Sequence, residues 1–467
     1  MSSCLAPAVA FGHPYGAEFA PQPRRTAASV FSRVTRAVGV FATSPTPSAT
    51  PLVRANYPIL ERRVGRDGAR SLVYLDSAAT ALVSRTVTDA HAAFLHASCA
   101  NIHRGAHTLA EEATDAFEGT RERLAAFFGV GDANRVVLTH GATESLNLAA
   151  RGWGDANLGP GDLVVVAADN HHSNLVPWQM LAERRGVEVA WLPLTAEGLL
   201  DEAAWGRLVA RGPKAVALCQ QSNVLGAAQP ALPRIIGEAR ATGAIVVLDG
   251  AQAAGHGPVD FEALGVDFYA ISAHKMGGLT GVGALLCSER AISQLEPVYG
   301  GGGMAARVDG EGWRAVPGPE AFEAGTPPIA AVAAWAAALG ELETAGLDAL
   351  AAHTRALAER TRRGLAAVPG VSVLGQGMPG PFASLVSFTV EGVHPHDVGA
   401  ALDGCGIMVR AGHHCARSVH DALGARASVR ASFAGYSTVE EADALVQAVE
   451  DVARRKDRTW ESVSMIR

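Results

Sequence analysis

The chain has 467 residues, 48% of them hydrophobic and 18% charged, with a formal net charge of −7. That length exceeds one simple hydrophobic core and suits two domains, and the charge gives no electrostatic reason to expect nucleic acid or an anionic membrane as a partner. No apolar stretch reaches the roughly 18 residues of a membrane-spanning helix; the nearest, Ile329 to Leu339, is mostly alanine and is followed by Glu341.

Residues 1–55 differ from the rest. They carry one acid, Glu18, against Arg24, Arg25, Arg33, Arg36 and Arg54, in a Pro-, Ser-, Thr- and Ala-rich context such as "ATSPTPSATP". A secretory signal starts basic and then turns apolar, and this segment does neither. Two readings stand: a disordered tail on a cytoplasmic protein, or an organelle (plastid or mitochondrial) transit peptide, which is also Arg-rich, Ser-rich and acid-poor. The six cysteines are scattered at positions 4, 99, 219, 287, 405 and 415, with no CxxC pair. That spacing speaks for a reducing compartment and against a structural zinc site, so no metal is expected.

From Leu72 onward apolar runs alternate with helical patterns. The runs are Arg135–His140, Leu163–Asp169, Val187–Leu194, Ala215–Asn223, Ala244–Gln252, Phe268–Lys275 and Val282–Ser288. Val, Ile, Leu and Ala with few charges are what strands buried on both faces require. Alternation of this kind predicts an α/β domain, a mostly parallel seven-stranded sheet covered by helices. The last gap, "MGGLTG", is too short for a crossover helix, so the seventh strand is expected to join antiparallel. After Thr326-Pro327-Pro328 the texture changes to Ala-rich helix, then short strands at Val371–Leu374, Leu385–Val390, Met408–Arg410 and Ser428–Ser432, and a last helix at Glu440–Arg454. The expected organisation is an extension over 1–55, a segment 56–75 packing on the small domain, a large domain over 76–328 and a smaller α+β domain over 329–467.

Ligands of open α/β sheets bind beyond the carboxyl ends of the strands. Those ends carry Asp169-Asn170-His171-His172, Ser222-Asn223, Asp249-Gly250-Ala251-Gln252 and Ser272-Ala273-His274-Lys275. In "THGATESLNLAA", Gly141 lets the chain turn and Thr143 opens a helix whose free N–H groups suit an anion. Neither a P-loop nor a dinucleotide fingerprint is present. A phosphate held by Thr143, Ser272 and His274 beside a lysine suggests a phosphorylated carbonyl cofactor. Lysine amines condense with carbonyls, and pyridoxal 5'-phosphate is the common partner. A buried carboxylate such as Asp249 would keep its ring nitrogen protonated, and His171 could lie on the ring face.

With these residues in place the chain resembles the SufS-like (group II) cysteine desulfurases of the class V aminotransferase superfamily. The stretches that carry the likeness are "YLDSAAT", "NIHRGAHTLAEEAT", "NHHSNLVPWQM", "SNVLG", "VLDGAQAAGH", "SAHK", "FEAGTP", "RAGHHCA" and "VRASF". The resemblance implies a fold type I enzyme, active as a homodimer, that turns L-cysteine into L-alanine, leaves a persulfide on Cys415 and hands the sulfur to an acceptor protein for Fe–S cluster assembly or another thiolation. It implies that Lys275 holds the cofactor aldehyde and shuttles protons, that Asp249 pairs with the ring nitrogen, that Gln252 bonds the ring hydroxyl, and that His171 stacks on the ring. Thr143, Ser272 and His274 would bind the phosphate, and Thr326 would reach the phosphate of the neighbouring subunit. Arg430 and Asn223 would grip the substrate carboxylate, with His103 and Arg410 at further active-site positions. Arg410, His413, His414 and Arg417 lie within five positions of Cys415 and are expected, as cations, to favour its thiolate.

Three positions depart from the family form. Ala142 stands where a threonine is frequent, Ala273 replaces a glycine and Leu279 a proline; none of them removes a reacting group. Alternatives are a selenocysteine lyase, cysteine sulfinate desulfinase, epimerase or other class V enzyme, with L-selenocysteine open as a substrate, and a non-enzymatic binding protein on the same scaffold. The intact Lys275, Asp249, His171 and Cys415 argue against the last. A metal site at "HHC" is disfavoured because adjacent histidines do not easily share one ion.

Overall fold

A computed structural model describes residues 50–65, 68–380 and 382–455; most of the 1–55 extension, with its tail and transit-peptide readings, lies outside them. Seven strands form the large sheet: β1 (Val136–Thr139), β2 (Leu163–Ala167), β3 (Glu188–Leu192), β4 (Ala215–Cys219), β5 (Ile245–Asp249), β6 (Phe268–Ser272) and β7 (Gly283–Cys287). Their spatial order is β1-β7-β6-β5-β4-β2-β3. The pairs from β6 to β3 are all parallel, and β7 runs antiparallel to both β6 and β1, as its short connection predicts.

Every residue of β2, β4, β5, β6 and β7 is buried. Alternate side chains enter two different cores: Val165, Val216, Val246 and Tyr269 join one, Val164, Ala217, Val247 and Phe268 the other. With helices on both faces, nothing inside these strands needs to be polar. The polar residues therefore fall at the ends, and there the strands stop sooner than the apolar runs suggest. The run Ala215–Asn223 leaves the ladder at Cys219, because Ser222 Oγ accepts from the N–H groups of Val224 (3.3 Å) and Leu225 (3.2 Å) and turns the chain. Phe268–Lys275 stops at Ser272, and Ala273–Lys275 coils into a single 3₁₀ turn.

A second, antiparallel sheet has the order β8-β9-β11-β10, from β8 (Val371–Val373), β9 (Leu385–Val390), β10 (Arg410–Gly412) and β11 (Ser428–Ser432). Helices Leu347–Ala366 and Val439–Arg455 contribute Leu357, Leu365, Leu445 and Val449 to its core, beside Phe388 and Val429. Helix Pro395–Gly404, not anticipated above, adds Val398 and Leu402. Helix Ile329–Ala345 packs elsewhere: Val332, Trp335 and Leu339 belong to the large core with Phe117 and Ile271. The break between cores thus falls near Gly346, after the change of texture at Pro328. Val73–Tyr74 pairs in parallel with Ile407–Met408, and Leu75 enters the smaller core. Among the described residues no helix is long and apolar enough to cross a membrane.

Candidate active site

The carboxyl ends of β5 and β6 bring Asp249, Gln252, Ser272 and Lys275 together. Asp249 is buried and accepts the Ala251 N–H at 2.9 Å. Burial pushes its carboxyl up, against the pull of Lys275. Burial also pushes the Lys275 ammonium down, with Arg430 and Arg410 adding to it and Asp249 opposing. Both groups are driven toward their neutral forms, and the neutral amine is the form that attacks a carbonyl. Gln252 donates from Nε2 to Ala78 O at 2.9 Å, while its buried Oε1 has no partner among the described residues.

Between β1, β6 and β7 the backbones converge. A Cβ on Gly283 would lie 2.4 Å from Gly141 Cα and 2.5 Å from Ile271 O, so only glycine fits. Gly141 itself sits at φ 145°. The chain there lets Ala142 donate its N–H to Ser272 Oγ at 2.8 Å, which leaves the serine hydrogen free for another acceptor. Thr143 is exposed, with Oγ1 2.8 Å from Ser173 Oγ. Ser173 also donates its N–H to His171 Nδ1 at 3.1 Å. That bond fixes the lone pair on Nδ1 and the proton on Nε2. Burial first, then Lys275, lowers His171 to about 4, so the ring is neutral. His274 is likewise lowered to about 4 by burial and Lys275, with Nδ1 3.2 Å from Thr80 Oγ1.

The smaller domain supplies the other wall. Arg430, 2% exposed, donates from Nη1 to Asn223 O at 3.0 Å and from Nη2 to Asp76 Oδ1 at 3.3 Å. Its buried Nε has no partner among the described residues, and burial lowers the guanidinium to about 10. Asn223 donates from Nδ2 to His414 O at 2.6 Å, and the His172 N–H reaches Cys415 O at 2.9 Å. Two hydrogen bonds from the large domain thus pin the thiol loop. His414 and Cys415 both adopt left-handed backbone, φ 53° and 56°, at a cost of about 1–3 kcal/mol each for non-glycine residues. Cys415 itself is exposed.

Some expected placements differ. His414 is no cation beside the thiol: burial lowers it to about 2 and its ring points inward. Arg410 acts on Lys275, His171 and Arg430 from β10, opposite Arg430 in register. His103 lies instead with Nε2 2.9 Å from Glu118 Oε1. Its donor atoms, with those of Glu118 and Glu320, fall within 4.8 Å of one another, but Arg121 Nε already binds Glu118 at 2.9 Å and balances the charge. Thr326 is exposed. Ala273 is fully buried beside Gly278, and Leu279 packs on the large core. Asp76, Thr80 and Ser173 were not singled out above, though Asp76 and Thr80 lie inside "YLDSAAT" and Ser173 inside "NHHSNLVPWQM".

The unpartnered Gln252 Oε1, the glycine-only cradle, the half-buried Lys275 amine and the buried Asp249 carboxyl suit a flat, phosphorylated aldehyde. Sheet, small domain and strand-end lysine together define a pyridoxal-phosphate enzyme of fold type I. The chain belongs to the aminotransferase class-V family, whose model matches residues 73–445. It is 42% identical over 407 residues to a probable cysteine desulfurase of Streptomyces coelicolor, covering 86% of this chain and 97% of that one. The structure of a cysteine desulfurase from Thermococcus onnurineus superposes with a TM-score of 0.81 at 36% identity, covering 89% and 100%. A cysteine desulfurase of Escherichia coli superposes with a TM-score of 0.78 at 38% identity, covering 86% and 97%.

Proposed function

We infer that the chain is a pyridoxal-phosphate-dependent cysteine desulfurase that moves the sulfur of L-cysteine onto Cys415 and releases L-alanine. The observation that carries this is the exposed thiol, whose loop is held by Asn223, which itself accepts from the buried Arg430. When bound, the cofactor supplies an electron sink for the pair released at the substrate carbon. Asp249 would hold its ring nitrogen, Gln252 its ring hydroxyl, and Thr143, Ser272 and His274 its phosphate, with the neutral His171 ring against its face. Lys275 would anchor its aldehyde carbon and then carry protons to and from the substrate. Arg430, whose Nε has no partner among the described residues, would take the substrate carboxylate, with Asn223 beside it. Cys415, as thiolate, attacks the substrate sulfur; the substrate's C–S bond breaks and its carbon ends protonated, so the exchange needs no outside oxidant.

The short "RAGHHCA" loop supports the SufS-like subgroup and an acceptor protein in Fe–S assembly or another thiolation. The outward-facing Thr326 supports a homodimer in which it serves the neighbouring phosphate. His103 and Arg410 are further candidates around the substrate, and selenocysteine would meet the same residues. All five cysteines among the described residues are free, which supports a reducing compartment such as the cytoplasm. The direct test is intact-mass analysis after L-cysteine treatment: one extra sulfur on the Cys415 peptide is expected. Undiminished cysteine turnover in Cys415→Ala sinks the assignment.

A further inference from the structure

Behind the thiol loop runs a chain of three buried polar side chains that the reaction outlined above leaves unused. His414 turns its ring inward, so that Nε2 lies 3.0 Å from Ser428 Oγ. The Ser428 hydroxyl, fully buried on β11, also lies 2.9 Å from His420 Nε2. His420, buried on the helix Arg417–Ala422 that follows the loop, has Nδ1 3.1 Å from Ala416 O.

One carbonyl sets every proton in this chain. A carbonyl only accepts, so Nδ1 of neutral His420 carries the hydrogen and Nε2 is bare. Ser428 must donate its single hydrogen to that nitrogen. Its oxygen then accepts from His414 Nε2–H, and His414 Nδ1 is left as a lone pair, buried and without a partner among the described residues. The two rings thus hold opposite tautomers. Burial is the first cause lowering both: His414 with help from Arg430, His420 and Arg410, and His420 with help from His413, against Ala416 O and Asp421. Both rings are therefore neutral, as the chain requires.

The same ring belongs to the residue that starts the left-handed turn. At φ 53° and 56°, His414 and Cys415 hold a conformation that non-glycine residues leave unless something retains them. Asn223 and His172 hold the two carbonyls; among the described residues, only the Ser428–His420 chain hydrogen-bonds a side chain of the turn. We infer that Ser428 and His420 are positioning residues for sulfur transfer, locking the His414 ring and with it the turn that presents Cys415. This rests on Cys415 being the nucleophile. Protonating His420 would put hydrogens on both its nitrogens and reverse the Ser428 hydroxyl. His414 would then need a hydrogen on Nδ1, a buried N–H beside Arg430 and Arg410 with nothing to accept it.

The test is single-turnover persulfide formation on Cys415 by the cofactor-loaded enzyme at saturating L-cysteine, across pH. Ser428→Ala should lower the rate about tenfold, leave KM and cofactor content unchanged, and lose the acid limb of the wild-type profile; Ser428→Thr should restore both. A rate within about twofold of wild type, or a loss that leaves the acid limb in place, overturns the inference. Should Ser428→Ala not fold, nitrogen NMR of histidine-labelled wild-type holoenzyme decides. Nε2–H on His414 with Nδ1–H on His420 is expected, and matching tautomers overturn it. Cysteine turnover surviving in Cys415→Ala would instead remove the nucleophile assignment on which the inference stands.

Discussion

Lys275 follows a strand buried along its whole length, one short turn beyond Ser272, while Cys415 sits exposed on a left-handed loop of the smaller domain. The lysine side draws its rigidity from the sheet: side chains on two faces of β5 and β6 lock into two cores, and glycines let three strand ends converge. The thiol side draws its order from hydrogen bonds that cross to the other domain, from Asn223 and His172. The contrast follows the chemistry. A cofactor must stay in one place through every turnover, whereas the sulfur carrier proposed at Cys415 would have to meet the substrate and then remain open to an acceptor.

The largest effect should come from the rigid side. Lys275→Ala is expected to lower turnover of any amino acid roughly 10⁴-fold and to leave no cofactor attached to the chain after borohydride reduction. A reduced adduct persisting in the variant would break the comparison at its firmer end. Next, Cys415→Ala should abolish desulfuration of L-cysteine while keeping the borohydride-fixed cofactor on Lys275. Mass analysis and alanine release together separate these two losses. A smaller effect is expected from Asn223→Ala, which removes the side-chain donor to His414 O and keeps the backbone carbonyl that Arg430 Nη1 donates to. Persulfide formation should slow about tenfold and KM for L-cysteine should rise; an unchanged rate would show that the loop holds itself.

The last effect concerns stability on the lysine side, not turnover. Burial pushes Asp169 up to about 6 from an ordinary 3.8, and its Oδ1 has no partner among the described residues. Between those two values the folded chain keeps a proton that the unfolded chain has released, so this group's contribution weakens as pH rises through the window. Asp169→Asn removes the dependence. By urea unfolding the variant should gain on wild type between pH 4 and pH 7, by at most about 3 kcal/mol. A constant difference across that range would contradict the shift.

The lysine side was largely legible in the sequence, because its rules are local. Strands buried on both faces must be apolar, so Asp249, Ser272 and Lys275 stand out where the runs end. Glycine at 141 and 283 reads as tight packing only once strands far apart in sequence are neighbours. The thiol side was legible in identity alone. "RAGHHCA" marks Cys415, yet nothing in it tells that His414 points inward and is neutral, or that Ser428 and His420 receive it. The expectation for His103 named no partner, and its contact with Glu118 follows from the packing of helix Thr108–Phe127.

By itself, then, the sequence determined the strands, the helices between them and the chemical groups at their ends, because hydrophobic period and chain-stiffening residues act within a few positions. Tertiary structure decided which groups meet. Asp76 reaches Arg430 across 354 residues and Asn223 reaches His414 across 191; helix Ile329–Ala345 joins the large core although its composition looks like the start of another domain. Protonation was decided there as well, since desolvation of Lys275, His171 and His414 exists only once the two domains have closed water out around them.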